Sequence, residues 1–342
     1  MANFLTDIVD HPDFPRRARR TVGSVLGAVV GSIVIAMLVF DHEPDPFSVL
    51  DQAAKRANDS QQARVTGYVT TATVIELIDT LLDKRGGYLS NDVSPPGMLM
   101  DNVPNWEWGV LVQVRDAIAA FRNDVSRSQS QSTENPDLIE ADNRIRINSE
   151  KWVFPAAENE YRTAADALTR YLSGLSVPGE AGTQFFARAD NLQTWLAVVE
   201  KRLGDLSQRL SASVGQIRVN TDLAGDTDAE QSTATPSVIV VKTPTLEIDD
   251  IFYEARGGTW ALIHLLQAIE YDFASVLEKK NATVSLRQII RELEGSQETL
   301  WSPIVLNGSG FGLLTNHSLI MASYISRANA AIIDLKALME RG

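Results

Sequence analysis

The stretch FFARADNLQTWLAVVEKRLGDLSQRLSASVGQI, residues 185–217, decides the fold. Leu192, Leu196, Val199, Leu203, Leu206, Leu210, Ser213 and Ile217 alternate spacings of four and three, which aligns them on one side of a helix. Glu200, Lys201, Arg202 and Asp205 fall on the other side. Such a seam serves either an antiparallel bundle or a self-associating coiled coil. Only about three and a half heptads are present, so the bundle is preferred.

Working outward, the same period recurs. GYVTTATVIELIDTLLDKRGG reads as a helix stopped by Gly86–Gly87. NWEWGVLVQVRDAIAAFRNDV reads as a second, begun by Asn105 as cap, with Val110, Val114, Ala117, Phe121 and Val125 on one face. PAAENEYRTAADALTRYLSGL opens with Pro155 in its first turn and ends near Gly174. Beyond residue 248, IDDIFYEARGGTWALIHLLQAIEYDFASVLEKK aligns Leu262, Leu266, Ile269, Phe273 and Val276, and VSLRQIIRELEGS follows. The last helix aligns Met321, Ile325, Ala328, Ile332, Leu335 and Met339. Between the blocks, DLAGDTDAEQSTATPS is poor in apolar residues and reads as a flexible excursion. Its β-branched borders, QIRVNT and SVIVVKT, fit a short hairpin. The fold class expected is all-α, with a single transmembrane helix ahead of a helical bundle carrying a flexible or hairpin insertion.

The transmembrane helix is TVGSVLGAVVGSIVIAMLVF, residues 21–40. Twenty uncharged, mostly apolar residues match a hydrocarbon core of about 30 Å. A signal peptide has a shorter apolar region and small residues at its end, whereas this run finishes with Leu38 and Phe40. The chain also lacks cysteine, which excludes lipoprotein processing and disulfides. Arg16, Arg17, Arg19 and Arg20 precede the helix and Asp41, Glu43 and Asp45 follow it. That asymmetry places the N-terminus in the cytoplasm and the remainder across the membrane. Gly23, Gly27 and Gly31, with Ser24, Ala28 and Ser32 beside them, form a small-residue stripe that suits close helix–helix packing. The layout expected is a cytoplasmic segment (1–20), the span (21–40), a linker with a first short helix (41–66), helical block one (67–216), the insertion (217–248) and helical block two (249–342).

Charge and chemistry narrow the function. The chain carries −13, and the four Arg and three Asp before residue 21 leave −14 on the part beyond the span. An acidic exterior argues against nucleic acid and anionic headgroups as partners. The four His are scattered and no Cys is present, so no metal site and no cofactor are expected. His264 reads as a core or interface histidine, and His317, between Asn316 and Ser318 at a helix start, reads as capping. SPIVLNGSGFG has neither the strand–turn–helix context of a nucleophile elbow nor a phosphate-loop Lys. Asp249, Asp250 and Glu254 are the best acidic cluster, but acids in the first turns of a helix are what its dipole favours. No catalytic residue is assigned. SRSQSQSTENPD lacks the bulk to build a core and reads as exposed.

Several segments also carry a family likeness. GGYLSNDVSPPG (86–97), WEWGVLVQVRD (106–116), SRSQSQS (126–132), EIDDIFYEARGG (247–258) and LNGSGFGLLTNHSLIMASYISRANAAIIDL (306–335) resemble the bacterial family catalogued as domain of unknown function 2333. The resemblance runs over nearly the whole chain. It implies a Gram-negative inner-membrane protein with its body in the periplasm, and no activity, ligand or catalytic residue to carry over. The function expected is a membrane-anchored structural or interaction protein of the cell envelope, assembling with itself or with another inner-membrane or periplasmic protein. The alternatives are a periplasmic enzyme on peptidoglycan or another envelope polymer, and an accessory subunit of an envelope transport complex.

Overall fold

The computed structural model describes residues 16–57, 65–128, 133–177, 183–219, 238–302, 304–309 and 312–340. The apolar N-terminal stretch is one helix, α1 (Arg16–Phe40), and is long and apolar enough from Arg20 to Phe40 to cross a membrane. None of that segment is buried against the rest of the chain. The body follows with α2 (Val49–Arg56), α3 (Tyr68–Asp83), α4 (Asn102–Ala120), α5 (Pro136–Ile145), α6 (Ala157–Leu175) and α7 (Ala189–Ser211). After a two-stranded hairpin come α8 (Ile248–Asp272), the short α9 (Ala274–Lys279), α10 (Thr283–Gly295) and α11 (His317–Glu340). In the hairpin, β1 (Gln216–Val219) pairs antiparallel with β2 (Val238–Val241), with Gln216 opposite Val241 and Val219 opposite Val238. The DLAGDTDAEQSTATPS excursion lies outside the described residues.

The seams are the core. Leu192, Leu196, Val199, Leu203, Leu206 and Leu210 of α7 are all buried, as are Met321, Ile325, Ala328, Ile332, Leu335 and Met339 of α11. These two faces pack on each other, and α4 packs on α8 in the other extensive pairing. One contiguous apolar cluster includes residues from α2 to α11, so helices before and after the hairpin share it. The crossing of α4 and α8 brings backbone against backbone at Gly109 and Gly257.

Several local details differ from the sequence reading, each for a physical reason. Asp101, not Asn105, caps α4: its carboxylate accepts the Asn102 N–H at 2.9 Å, which takes Asn105 into the first turn. Pro155 stands before α6, which starts at Ala157. The seam of α7 ends at buried Ser213, because Gly215 turns the chain at φ +89° and sends Ile217, exposed, into β1. α8 stops at Asp272 and a separate turn, α9, carries Val276. α5 has no counterpart among the helices read from the sequence; Asn135 caps it, accepting the N–H groups of Asp137 and Leu138 at 3.0 and 3.3 Å, ahead of Pro136.

The bundle has two distinct ends. At the far end, the Phe185 ring covers Gly67 and lies 5.8 and 5.9 Å from the rings of Phe121 and Phe273. There Asp272, at the end of α8, accepts both the N–H and the hydroxyl of Thr70 at 2.7 and 2.6 Å. That carboxylate caps the first turn of α3, whose own N-cap, Gly67, has no side chain to do so. The near end meets α1: an added Cβ on Gly86, in the left-handed turn Gly86–Gly87 that follows α3 and its extended C-cap Lys84, would lie 2.8 Å from the Phe40 ring.

Candidate functional site: the junction of α1 and the body

The segment after α1 is not a loose tether. Asp41–Phe47 runs over α8 and is fixed there at two points. Arg256, its side chain 9% exposed, grips Glu43 with two prongs, Nε to Oε1 at 2.7 Å and Nη2 to Oε2 at 2.6 Å. The same guanidinium donates through Nη1 to the carbonyls of Ser296 and Glu298 at 3.3 and 3.0 Å. One side chain thus ties the linker, α8 and the end of α10, using the planar fork that Arg offers and Lys does not.

The second point is Phe47. Its N–H donates to Nε2 of His264 at 3.0 Å, and its ring stacks on that imidazole with centroids 4.0 Å apart. Its edge also meets Trp260 at 5.7 Å. Because Nε2 accepts, Nδ1 carries the proton and donates to the Trp260 carbonyl at 2.8 Å. Burial pushes the His264 pKa down to about 4, a little offset by that carbonyl, so the ring is neutral at ordinary pH.

Between linker and α8 lies a cavity of about 290 Å³, lined by Asp41, His42, Asp45, Tyr253, Gln297 and Thr299 among others. Its chemistry is acidic. Burial raises the Asp41 carboxyl above its ordinary pKa, a hydrogen bond from Asn102 opposes this, and Asp101 and Glu43 add to it. Burial, then Glu43 and Asp41, push the Tyr253 phenol up to about 12. Arg256 is the one Lys or Arg among the described lining residues, and Glu43 already occupies it. The site therefore suits water or a cationic group better than a phosphate or carboxylate. A larger, mainly apolar groove of about 550 Å³ adjoins it through Arg256, Thr299 and Leu300, and continues along Trp301, Ile320 and Tyr324. Among the described residues no cluster of three or more His, Asp or Glu stands ready for a metal ion.

A second buried pair supports the near end. Glu107, fully buried, accepts the N–H groups of Leu89 and Ser90, both at 2.8 Å, the Ser90 hydroxyl and the ammonium of Lys84. Lys84 itself is 3% exposed. The loop Lys84–Ser90 is therefore moulded around one carboxylate of α4. Sequence reasoning missed Glu107, although a charge between Trp106 and Trp108 on an apolar helix is a readable signal.

The residues singled out in the sequence are scattered over the molecule. Asp249 and Asp250 stand in the first turn of α8; Asp250 accepts from the Asn105 amide at 2.7 Å, and burial, with Asp249 next, raises its pKa. Glu254 is instead bound by Arg209, with Nη1 at 2.8 Å, so the two acids have different partners. The cap of α11 is Asn316, which accepts the Leu319 N–H at 2.8 Å, while Nδ1 of His317 accepts the Leu306 N–H at 3.0 Å and fastens the preceding loop. Along α1, an added Cβ on Gly23, Gly27 or Gly31 would meet nothing within 4 Å, and the hydroxyl of Ser32 returns to the Ala28 carbonyl at 2.9 Å. Ser24 and Ala28 share that exposed side, and Arg20 is exposed at its start. The side chains of Arg16, Arg17 and Arg19 lie outside the described set.

A long, unburied apolar helix clamped to a bundle of helices defines an all-α protein with one candidate membrane span. The family model described as "Uncharacterized protein conserved in bacteria (DUF2333)" matches residues 15–342, nearly the whole chain, and the chain belongs to that family. No curated protein and no solved structure matches it.

Proposed function

We infer that this is a single-span protein of the bacterial inner membrane, with its N-terminus in the cytoplasm and its helical body in the periplasm. On this reading it works through contacts, with other copies of itself or with other envelope proteins, rather than through chemistry of its own. Four Arg before the span and three acids after it support the orientation. The observation that carries the interaction role is the clamp of Glu43 on Arg256 and Phe47 on His264. A tether that merely kept an enzyme near its substrate would need no such fixation, whereas a presented surface needs a defined attitude to the membrane. Asp250 and Glu254, the nearest thing to a catalytic acid pair, are each taken up by a structural partner.

The test is crosslinking of the full chain in bacterial membranes, followed by identification of what is captured. Recurrent self-crosslinks or one recurrent envelope protein support the reading. Hydrolysis of cell-wall polymer by the detergent-solubilised full chain would replace it with the enzymatic alternative. A reporter fused after Gly342 should work only outside the cytoplasm; cytoplasmic activity there reverses the orientation.

A further inference from the structure

Several of the large apolar residues that the body exposes stand in loops near the exit of α1. Leu99 lines a small cavity of about 170 Å³ together with Met37 and Leu38 of the last turn of α1, and Met98 beside it is exposed. The loop before it carries Gly86, which abuts Phe40. Asn91 of that loop donates to the Lys151 carbonyl at 3.0 Å, which anchors the neighbouring loop where Trp152 and Phe154 protrude, Phe154 at 92% exposure. Thr299 and Leu300 share the junction cavity with Asp41–Pro46, and the next residue, Trp301, is again 92% exposed. Three loops, far apart in sequence, are thus linked to the end of α1 or to the linker that follows it. At the far end, exposed aliphatic residues stand singly, as Val177 and Val284 do.

We propose that this crown of Met98, Leu99, Trp152, Phe154 and Trp301 is seated in the headgroup layer of the bilayer that α1 crosses, so that the body rests on the membrane instead of standing clear of it. The inference rests on α1 being a true span. Given that, the depth follows: Leu99 is level with Leu38, which lies inside the apolar helix, so a bilayer covering α1 must reach Leu99. Trp is enriched at the membrane interface, and Trp, Phe and Leu form the buried face of interfacial segments. The occupant is lipid by continuity with α1. The attraction is apolar in origin, because the part of the chain beyond the span carries −14 and repels anionic headgroups.

The cysteine-free chain makes the test direct. Single variants Ile35→Cys, Leu99→Cys, Phe154→Cys, Trp301→Cys and Val284→Cys of the full chain are labelled with an environment-sensitive fluorophore. They are reconstituted in vesicles of phosphatidylethanolamine and phosphatidylglycerol, with and without lipid bearing a nitroxide near the headgroup. All five positions are exposed, so the variants leave the core intact. Positions 35, 99, 154 and 301 should lose fluorescence to the nitroxide lipid, and position 284, at the far end, should not. Quenching at 35 without quenching at 99, 154 and 301 overturns the proposal and leaves the span standing; those loops then face water or another protein. No quenching at 35 removes the span, and the proposal with it. Equal quenching at 284 also overturns it, since the body then has no fixed attitude. Quenching of the loops that vanishes in high salt, or without phosphatidylglycerol, replaces apolar insertion by charge attraction.

Discussion

The backbone of Gly257 lies so close to Trp106 that a Cβ added to the glycine would sit 1.9 Å from the Trp106 carbonyl oxygen. Gly109 mirrors it one turn along: its added Cβ would lie 2.1 Å from the Glu254 carbonyl. Both obstacles are main chain, which cannot rotate aside. Gly257→Ala should therefore push α4 and α8 apart and cost roughly 2–3 kcal/mol. Gly258, one residue on, has 3.6 Å of room to its nearest neighbour. Gly258→Ala should be neutral or stabilise by up to about 1 kcal/mol, through helix propensity alone. Thermal unfolding of the two variants, followed by circular dichroism, checks the contrast; equal losses would dissolve it.

The clamp predicts a coupled pair. Glu43→Gln leaves the Arg256 guanidinium, largely withdrawn from water, facing only carbonyls and an amide, and should cost about 3 kcal/mol. Arg256→Met should cost a similar amount by leaving Glu43 without its cation. The double variant should cost clearly less than the two together, because neither charge is then stranded. Limited proteolysis within Asp41–Phe47 should accelerate in each single variant. Strict additivity would mean that the pair is not a unit.

Acid stability should show two opposed limbs. His264 binds its proton near pH 4 when folded and near 6.5 when unfolded, so the unfolded chain takes up more protons between those values. Its contribution is complete above 6.5 and falls by about 3 kcal/mol toward pH 4. Asp272 behaves oppositely. Burial raises its carboxyl to about 6 from 3.8, against the pull of its hydrogen bonds to Thr70. The folded chain then holds the extra proton, and stability declines by about 3 kcal/mol as pH rises from 3.8 to 6. The limbs largely cancel in the native protein. Asp272→Asn should unmask the His264 limb, giving a stability that climbs with pH between 4 and 6.5. Urea unfolding across that window reads it, and a flat profile in the variant would discount His264.

The stripe on α1 predicts association. Gly27→Leu with Gly31→Leu adds bulk where no part of the chain itself sits within 4 Å, so folding of the monomer is untouched. If the stripe packs against another helix, crosslinking between full-length chains in the membrane should fall while insertion persists. Substitutions at exposed Val25 and Val29, off the stripe, should have little effect. Undiminished crosslinking would move any association to the body.

The helices were legible because burial repeats with the helical turn. The six apolar positions read on α11 and the six from Leu192 to Leu210 on α7 are all in the core. The errors fall where local signals compete. Asp101 and Asn105 are both cap residues four apart, and only the packed structure selects the first. α5 carried its signature, Asn135 before Pro136, but it spans only ten residues, half of them polar, too short for the period to stand out. The junction was not legible at all. Glu43 and Arg256 are 213 residues apart, Phe47 and His264 are 217 apart, and nothing in either segment names the other. Glu107 was readable as an anomaly, a carboxylate on an apolar face, though not as the post around which a loop is wound.

The clamp at Glu43 and Phe47 also gives α1 a phase. With the linker after it tied to the body, the azimuth at which Gly23, Gly27 and Gly31 face outward is fixed relative to the loops near its exit. One residue inserted between Gly31 and Phe40 would turn that stripe by about 100° about the helix axis without altering its composition or the body. Two residues would carry it roughly to the opposite side. If two copies pair through this stripe, the mutual bearing of their bodies is set by a count of residues in α1, as the angle of a key is set by where its bit is cut on the shaft.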